Sequence, residues 1–126
     1  MEEFWASYNC GDLDETWKIY VADDIVVHPS GGHELDREGW LADEKALSAA
    51  FDAIEAKVLD QVAEGDMVAS RWSFSGRQTA EFMGVSSSGR TATLTGILFD
   101  RIHDDKIVEH WAEVGLAHFL QLLSAK

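Results

Sequence analysis

The sequence predicts an α+β domain in which a curved antiparallel sheet closes over N-terminal helices and encloses an apolar pocket. Two observations carry this. Apolar residues recur at helix-like spacing in the first 50 positions and at near period two in the 60 that follow, so the helices are segregated to one side of the sheet. In the last strand both faces carry apolar groups, so one face covers helices and the other can pair subunits. The 126 residues suit a single domain with one core, spanning 1–126, and a chain that is 46% hydrophobic and 26% charged has the apolar surface needed to fold.

The elements follow in order. Phe4, Trp5, Tyr8, Leu13, Trp17, Ile19 and Tyr20 form a helical pattern broken at Asn9-Cys10-Gly11, with Asp12 and Glu15 spaced as a capping box for the second piece. The β-branched run Ile25-Val26-Val27 makes Asp24 to His28 a strand, which Pro29-Ser30-Gly31-Gly32 ends. Asp36 is the N-cap of a helix that lays Trp40, Leu41, Ala46, Leu47 and Ala50 on one stripe. Two hairpins come next: Ala56 to Glu64 with Met67 to Gly76 around Gly65-Asp66, then Thr91 to Ile102 with Ile107 to Val114 around His103-Asp104-Asp105-Lys106. Gly115 to Leu123 closes the chain as a short amphipathic helix.

The charge narrows the partners. Ten Lys and Arg stand against 23 Asp and Glu, a formal charge of −13 that repels phosphate backbones and anionic lipid, so nucleic acid is excluded as a partner. No apolar run approaches the roughly 20 residues of a membrane span, which excludes the membrane. The lone Cys10 forms no internal disulfide, and the start Met1-Glu2-Glu3-Phe4-Trp5 lacks the basic and apolar regions of a signal peptide, so the expected compartment is the cytoplasm. The five histidines lack metal-site spacing, and the glycines lack the strand-to-helix order of a phosphate loop. Neither a metal nor a nucleotide cofactor is expected.

Several blocks, in their order, resemble the SnoaL-like polyketide cyclase family, which shares its fold with nuclear transport factor 2 and the ketosteroid isomerases. They are Asn9-x-Gly11-Asp12-Leu13, the strand end His28-Pro29, Ala63-Glu64-Gly65-Asp66-Met67-Val68-Ala69-Ser70-Arg71-Trp72, Glu81-Phe82-Met83-Gly84-Val85, Thr93-Leu94-Thr95-Gly96-Ile97 and Lys106-Ile107-Val108-Glu109-His110-Trp111. The resemblance spans nearly the whole chain. It implies a cone-shaped sheet with a pocket between helices and concave face, a homodimer, and cofactor-free intramolecular aldol ring closure. Where the named cyclases carry an acid/base aspartate in a His-Trp-Asp run, this chain has His110-Trp111-Ala112, and Gly115 stands where many relatives have a second aspartate.

The candidate catalytic residues are therefore His110, His28 and Asp100. His110 matches a cyclase active-site position and shares strand parity with Ala112, and an imidazole suits proton transfer near neutral pH. The plainer reading of His110 is a histidine at the core edge. His28 stands where it can reach the pocket mouth or remain a surface histidine. Asp100 shares parity with Gly96 and Leu98, positions that match pocket-lining ones, but its plainer reading is a hydrated strand end paired to Arg101 or Lys106. Glu113 turns to the face opposite Ala112 unless a bulge shifts the register. For ligand contact we expect Tyr8, Trp72, Phe82, Met83, Leu98 and Ala112, with Trp72 a pocket wall because Val68, Ser70, Trp72 and Phe74 share one face. Aromatic walls suit a small hydrophobic molecule. Two functions compete: a cofactor-independent cyclase (an aldol-type lyase) or isomerase acting on a small hydrophobic carbonyl compound by acid/base chemistry, and a non-catalytic small-molecule-binding domain that has lost the catalytic aspartate.

Overall fold

The computed structural model describes residues 12–30 and 32–124, and in them three helices and five strands follow one another. Helix α1 (Leu13–Tyr20) runs directly into β1 (Val21–His28); α2 (Arg37–Ala49) is followed by β2 (Phe51–Glu64), β3 (Met67–Gln78), β4 (Thr91–His103), β5 (Lys106–Val114) and α3 (Leu116–Ser124). The two helix starts are those the local chemistry dictates. Asp12 accepts a hydrogen bond from the Glu15 backbone N–H at 3.1 Å, and Asp36 accepts one from that of Gly39 at 2.8 Å, each filling a donor the helix cannot.

The strands form one sheet in the order β1-β5-β4-β3-β2. All neighbours are antiparallel except β1 and β5, which run parallel, so the sheet is mixed where the sequence led us to expect an antiparallel one. The cause is connectivity: β1 and β2 lie at opposite edges, and α2 crosses the sheet between them. Two register shifts in β2, at Asp52/Glu55 and Val58/Asp60, add the local twist that curves the sheet. The hairpin turns use positive φ where they need it: Gly65 at 60°, and Asp104 and Asp105 at 51° and 62°, side chains that tolerate the left-handed region.

A third irregularity matters more for function. Arg101 pairs with Glu109 but Ile102 with Ile107, so Val108 is an extra residue in β5. Ile107 is buried (1% exposed) while Val108 is not, so strict in-and-out alternation breaks at this point of β5. The core lies on the concave side, where Trp17 from α1, Trp40 and Leu47 from α2 and Phe119 from α3 pack against Phe74 and Leu94. Fully burying one such side chain contributes about 2–3 kcal/mol. Phe51, Phe74, Phe82 and Phe119 close one end of the core with edge and tilted ring contacts at 5.5–6.3 Å. No helix among the described residues is long and apolar enough to cross a membrane.

Candidate active site

Register places the site. On the concave face Val27, His110, Asp100 and Val68 form one row across β1, β5, β4 and β3; Ala112, Leu98 and Ser70 form the next; Val114, Gly96 and Trp72 form a third. Gly96 is required here, because a Cβ would lie 2.4 Å from Val114 Cγ1 and 2.8 Å from the Glu113 carbonyl oxygen. Above these rows lies a cavity of about 430 Å³, roofed by Trp40 and Leu47 of α2.

At its base His110 (2% exposed) places Nδ1 2.6 Å from Oδ1 of the wholly buried Asp100. The imidazole stacks on Trp40, centroids 4.3 Å apart and planes inclined by 22°, and Trp40 Nε1 donates to Glu44 Oε1 at 3.1 Å. Asp100 Oδ2 is buried with no hydrogen-bond partner among the described residues. Ser30 carries the sheet past the end of β1: its hydroxyl donates to the Ala112 carbonyl at 3.1 Å and accepts from the Val114 N–H at 3.2 Å. Among the described residues the ionisable side chains that line the cavity are His33, Asp43, Glu44 and His110, with no Lys or Arg. Among the described residues no three His, Cys, Asp or Glu side chains converge as metal ligands would.

Of the residues expected to contact a ligand, Trp72, Phe82, Met83, Leu98 and Ala112 line the cavity, and Tyr8 lies outside the described residues. Asp100 is behind His110, not at a hydrated strand end beside Arg101 or Lys106. His28 is turned away from the cavity. Val27 points inward, so its neighbour points outward, where His28 stacks on Trp111 at 5.2 Å and its Nε2 lies 2.8 Å from Glu109 Oε2. Glu113 is exposed, because the bulge precedes both it and Ala112 and leaves the two on opposite faces. Sequence reasoning missed Trp40, Glu44 and Ser30. The spacing of Trp40 and Glu44 by one helical turn was the available signal.

The SnoaL-like polyketide cyclase model matches residues 1–123. The chain belongs to the SnoaL-like polyketide cyclase family. Among solved structures it is similar to IdmH from Streptomyces antibioticus, a candidate polyketide cyclase, with 36% identity over 97% of this chain and 94% of that one, TM-score 0.84. TsrD from Streptomyces laurentii is 28% identical, covering 100% of this SnoaL-like chain and 92% of its own, TM-score 0.86. AclR from Streptomyces galilaeus, a candidate hydroxylase, is 27% identical, covering 98% and 78%, TM-score 0.88. No curated protein matches the chain. Relatives described by two different reactions share this SnoaL-like fold, so the chemistry has to be argued from the site.

Proposed function

We propose that this SnoaL-like protein is a cofactor-free enzyme of the cyclase or isomerase type, acting by acid/base chemistry on a small hydrophobic carbonyl compound. The observation that carries the reading is the 2.6 Å contact of His110 with Asp100 at the base of an apolar cavity. In the tautomer that donates Nδ1–H to the carboxylate, Nε2 carries the lone pair that takes a proton. Nε2 removes a proton from the carbon next to a substrate carbonyl, the C–H electrons form the enolate, and the carbonyl oxygen takes the charge. In a cyclisation the enolate carbon bonds to a second carbonyl carbon of the same molecule, whose oxygen then receives a proton. A wholly buried carboxylate with one oxygen unpartnered among the described residues costs stability, which fits a group kept for function.

Ala112 favours the second reading, a ligand receptacle without turnover, because the resemblance puts a carboxylate at that point of the cavity wall. Deuterium incorporation decides between them. 2-Tetralone, a neutral two-ring ketone, is incubated in D2O with the protein and its α-protons are followed by NMR. The enzyme reading requires exchange above the buffer rate that His110→Gln abolishes; binding of the ketone without acceleration leaves the receptacle. The same reading includes a homodimer joined through the convex face, where Leu59, Val62, Ile97 and Phe99 are 45–70% exposed. The lone Cys10 fits a cytoplasmic setting.

A further inference from the structure

The segment 79–90 between β3 and β4 has no strand or helix of its own, yet it supplies two cavity-lining residues, Phe82 and Met83. Its order traces to one buried side chain. Gln78 is 1% exposed; its Nε2 donates to the carbonyls of Ala80 at 3.1 Å and Val85 at 2.9 Å, and its Oε1 accepts from the Ser88 N–H at 3.1 Å and the Ser88 hydroxyl at 2.8 Å. A primary amide has two N–H donors and two lone pairs, and all four are used within this segment.

The turn so held is tight. Phe82 and Val85 exchange backbone hydrogen bonds at 3.0 and 2.9 Å around Met83 and Gly84, whose φ values of 48° and 82° are the positive pair of a type I′ turn. Phe82 is pinned from below by Phe51 at 5.5 Å, while Met83 stays 61% exposed at the outer end of the cavity, away from the deeply buried His110.

We propose that Gln78 is a positioning residue for the cavity, the anchor that holds the Phe82–Val85 turn as a fixed rim and so sets which ligand lengths gain contact with Phe82 and Met83. This rests on the reading of the cavity as a ligand site. A ligand short enough to sit between His110 and Trp72 does not touch the rim; a longer one does. Removing the anchor therefore weakens long ligands selectively, whereas a residue that only stabilises the fold would affect both alike.

The test compares 1-naphthol with the three-ring, neutral 1,8-dihydroxyanthraquinone, titrated against wild type, Gln78→Met and Ser88→Ala by quenching of Trp40 and Trp72, both of which line the cavity. Gln78→Met weakens the three-ring probe about tenfold and leaves naphthol within about twofold, as expected for a rim loosened by loss of several hydrogen bonds. Ser88→Ala, which removes one of the four contacts, shifts the same ratio less. Equal effects on the two probes overturn the proposal. Amide exchange at Val85 and Ser88 provides the second measurement, and it rises about tenfold in Gln78→Met if the anchor is real. If neither probe binds wild type, the ligand reading of the cavity has failed, and unchanged exchange then overturns the role of Gln78 separately.

Discussion

His110→Ala leaves Asp100 as a buried carboxylate with neither oxygen hydrogen-bonded to a described residue, and Asp100→Ala takes from the buried imidazole its 2.6 Å partner at Nδ1. Side-chain exposures of 3% and 0% leave no room for water to take over as a screen. Breaking such a pair from one side costs about 3–5 kcal/mol. That is a large part of the 5–15 kcal/mol total of a typical domain, and it corresponds to a fall of roughly 10–20 °C in Tm. Removing both partners leaves no stranded group, so the double variant loses less than the sum of the singles, with a coupling energy of about 2 kcal/mol. The assay is urea unfolding of the four chains followed by tryptophan fluorescence, with linear extrapolation to water. Strict additivity would show that the two side chains do not act as a unit, and would remove the physical basis for His110 as an oriented base.

Three further outcomes follow from other parts of the fold. Gly96→Ala drives a Cβ into Val114 and the β5 backbone and should cost about 1–3 kcal/mol; an unchanged melting temperature would mean that β5 is free to yield. Asp52 is held below its ordinary pKa of 3.8 chiefly by hydrogen bonds from Arg77, with the charge attraction adding to them against desolvation. A depressed carboxyl stabilises the fold above the ordinary value and loses that contribution as pH falls through the folded one. Arg77→Gln should therefore lower Tm slightly at pH about 7 and not at pH about 2, and a difference that persists in acid would contradict the assignment. On the convex face Val62, Ala69 and Phe99 stand in one row across three strands, so Phe99→Glu should turn a sedimenting dimer into a monomer; a wild-type monomer would refute the interface.

Much of this was legible because it is local. Asp12 and Asp36 cap their helices through atoms three residues away, and the Gly65 and Asp104-Asp105 turns set their hairpins. The inward parity of Trp72, Leu98 and Ala112 followed from strand alternation alone. What depends on distant partners was not legible. The direction of β1 is decided by pairing with residues some 80 positions away, and no pattern within Val21–His28 records it. The phase of that strand was equally hidden, since Ile25, Val26 and Val27 are all apolar although only Ile25 and Val27 are buried, and this is why His28 seemed able to reach the cavity. Trp40 read as one member of an apolar stripe; whether such a stripe meets core or cavity depends on what lies opposite. The partner of Asp100 was concealed by the bulge.

That extra residue, Val108, does more than bend a strand. From the two-residue turn, with Ile102 opposite Ile107 and His103 opposite Lys106, unbroken pairing would set Asp100 across from Glu109, two acids face to face, and turn Trp111 toward the helices. One additional peptide unit rotates the remaining residues of β5 by half a turn and delivers His110 to Asp100 instead. Deleting Val108 would straighten β5 and leave His110 opposite Asp100, whereas drawing Val108 into the ladder would turn the site inside out. The chemistry of this chain thus hangs on Val108 staying outside the ladder, a property that a comparison of side chains position by position does not register.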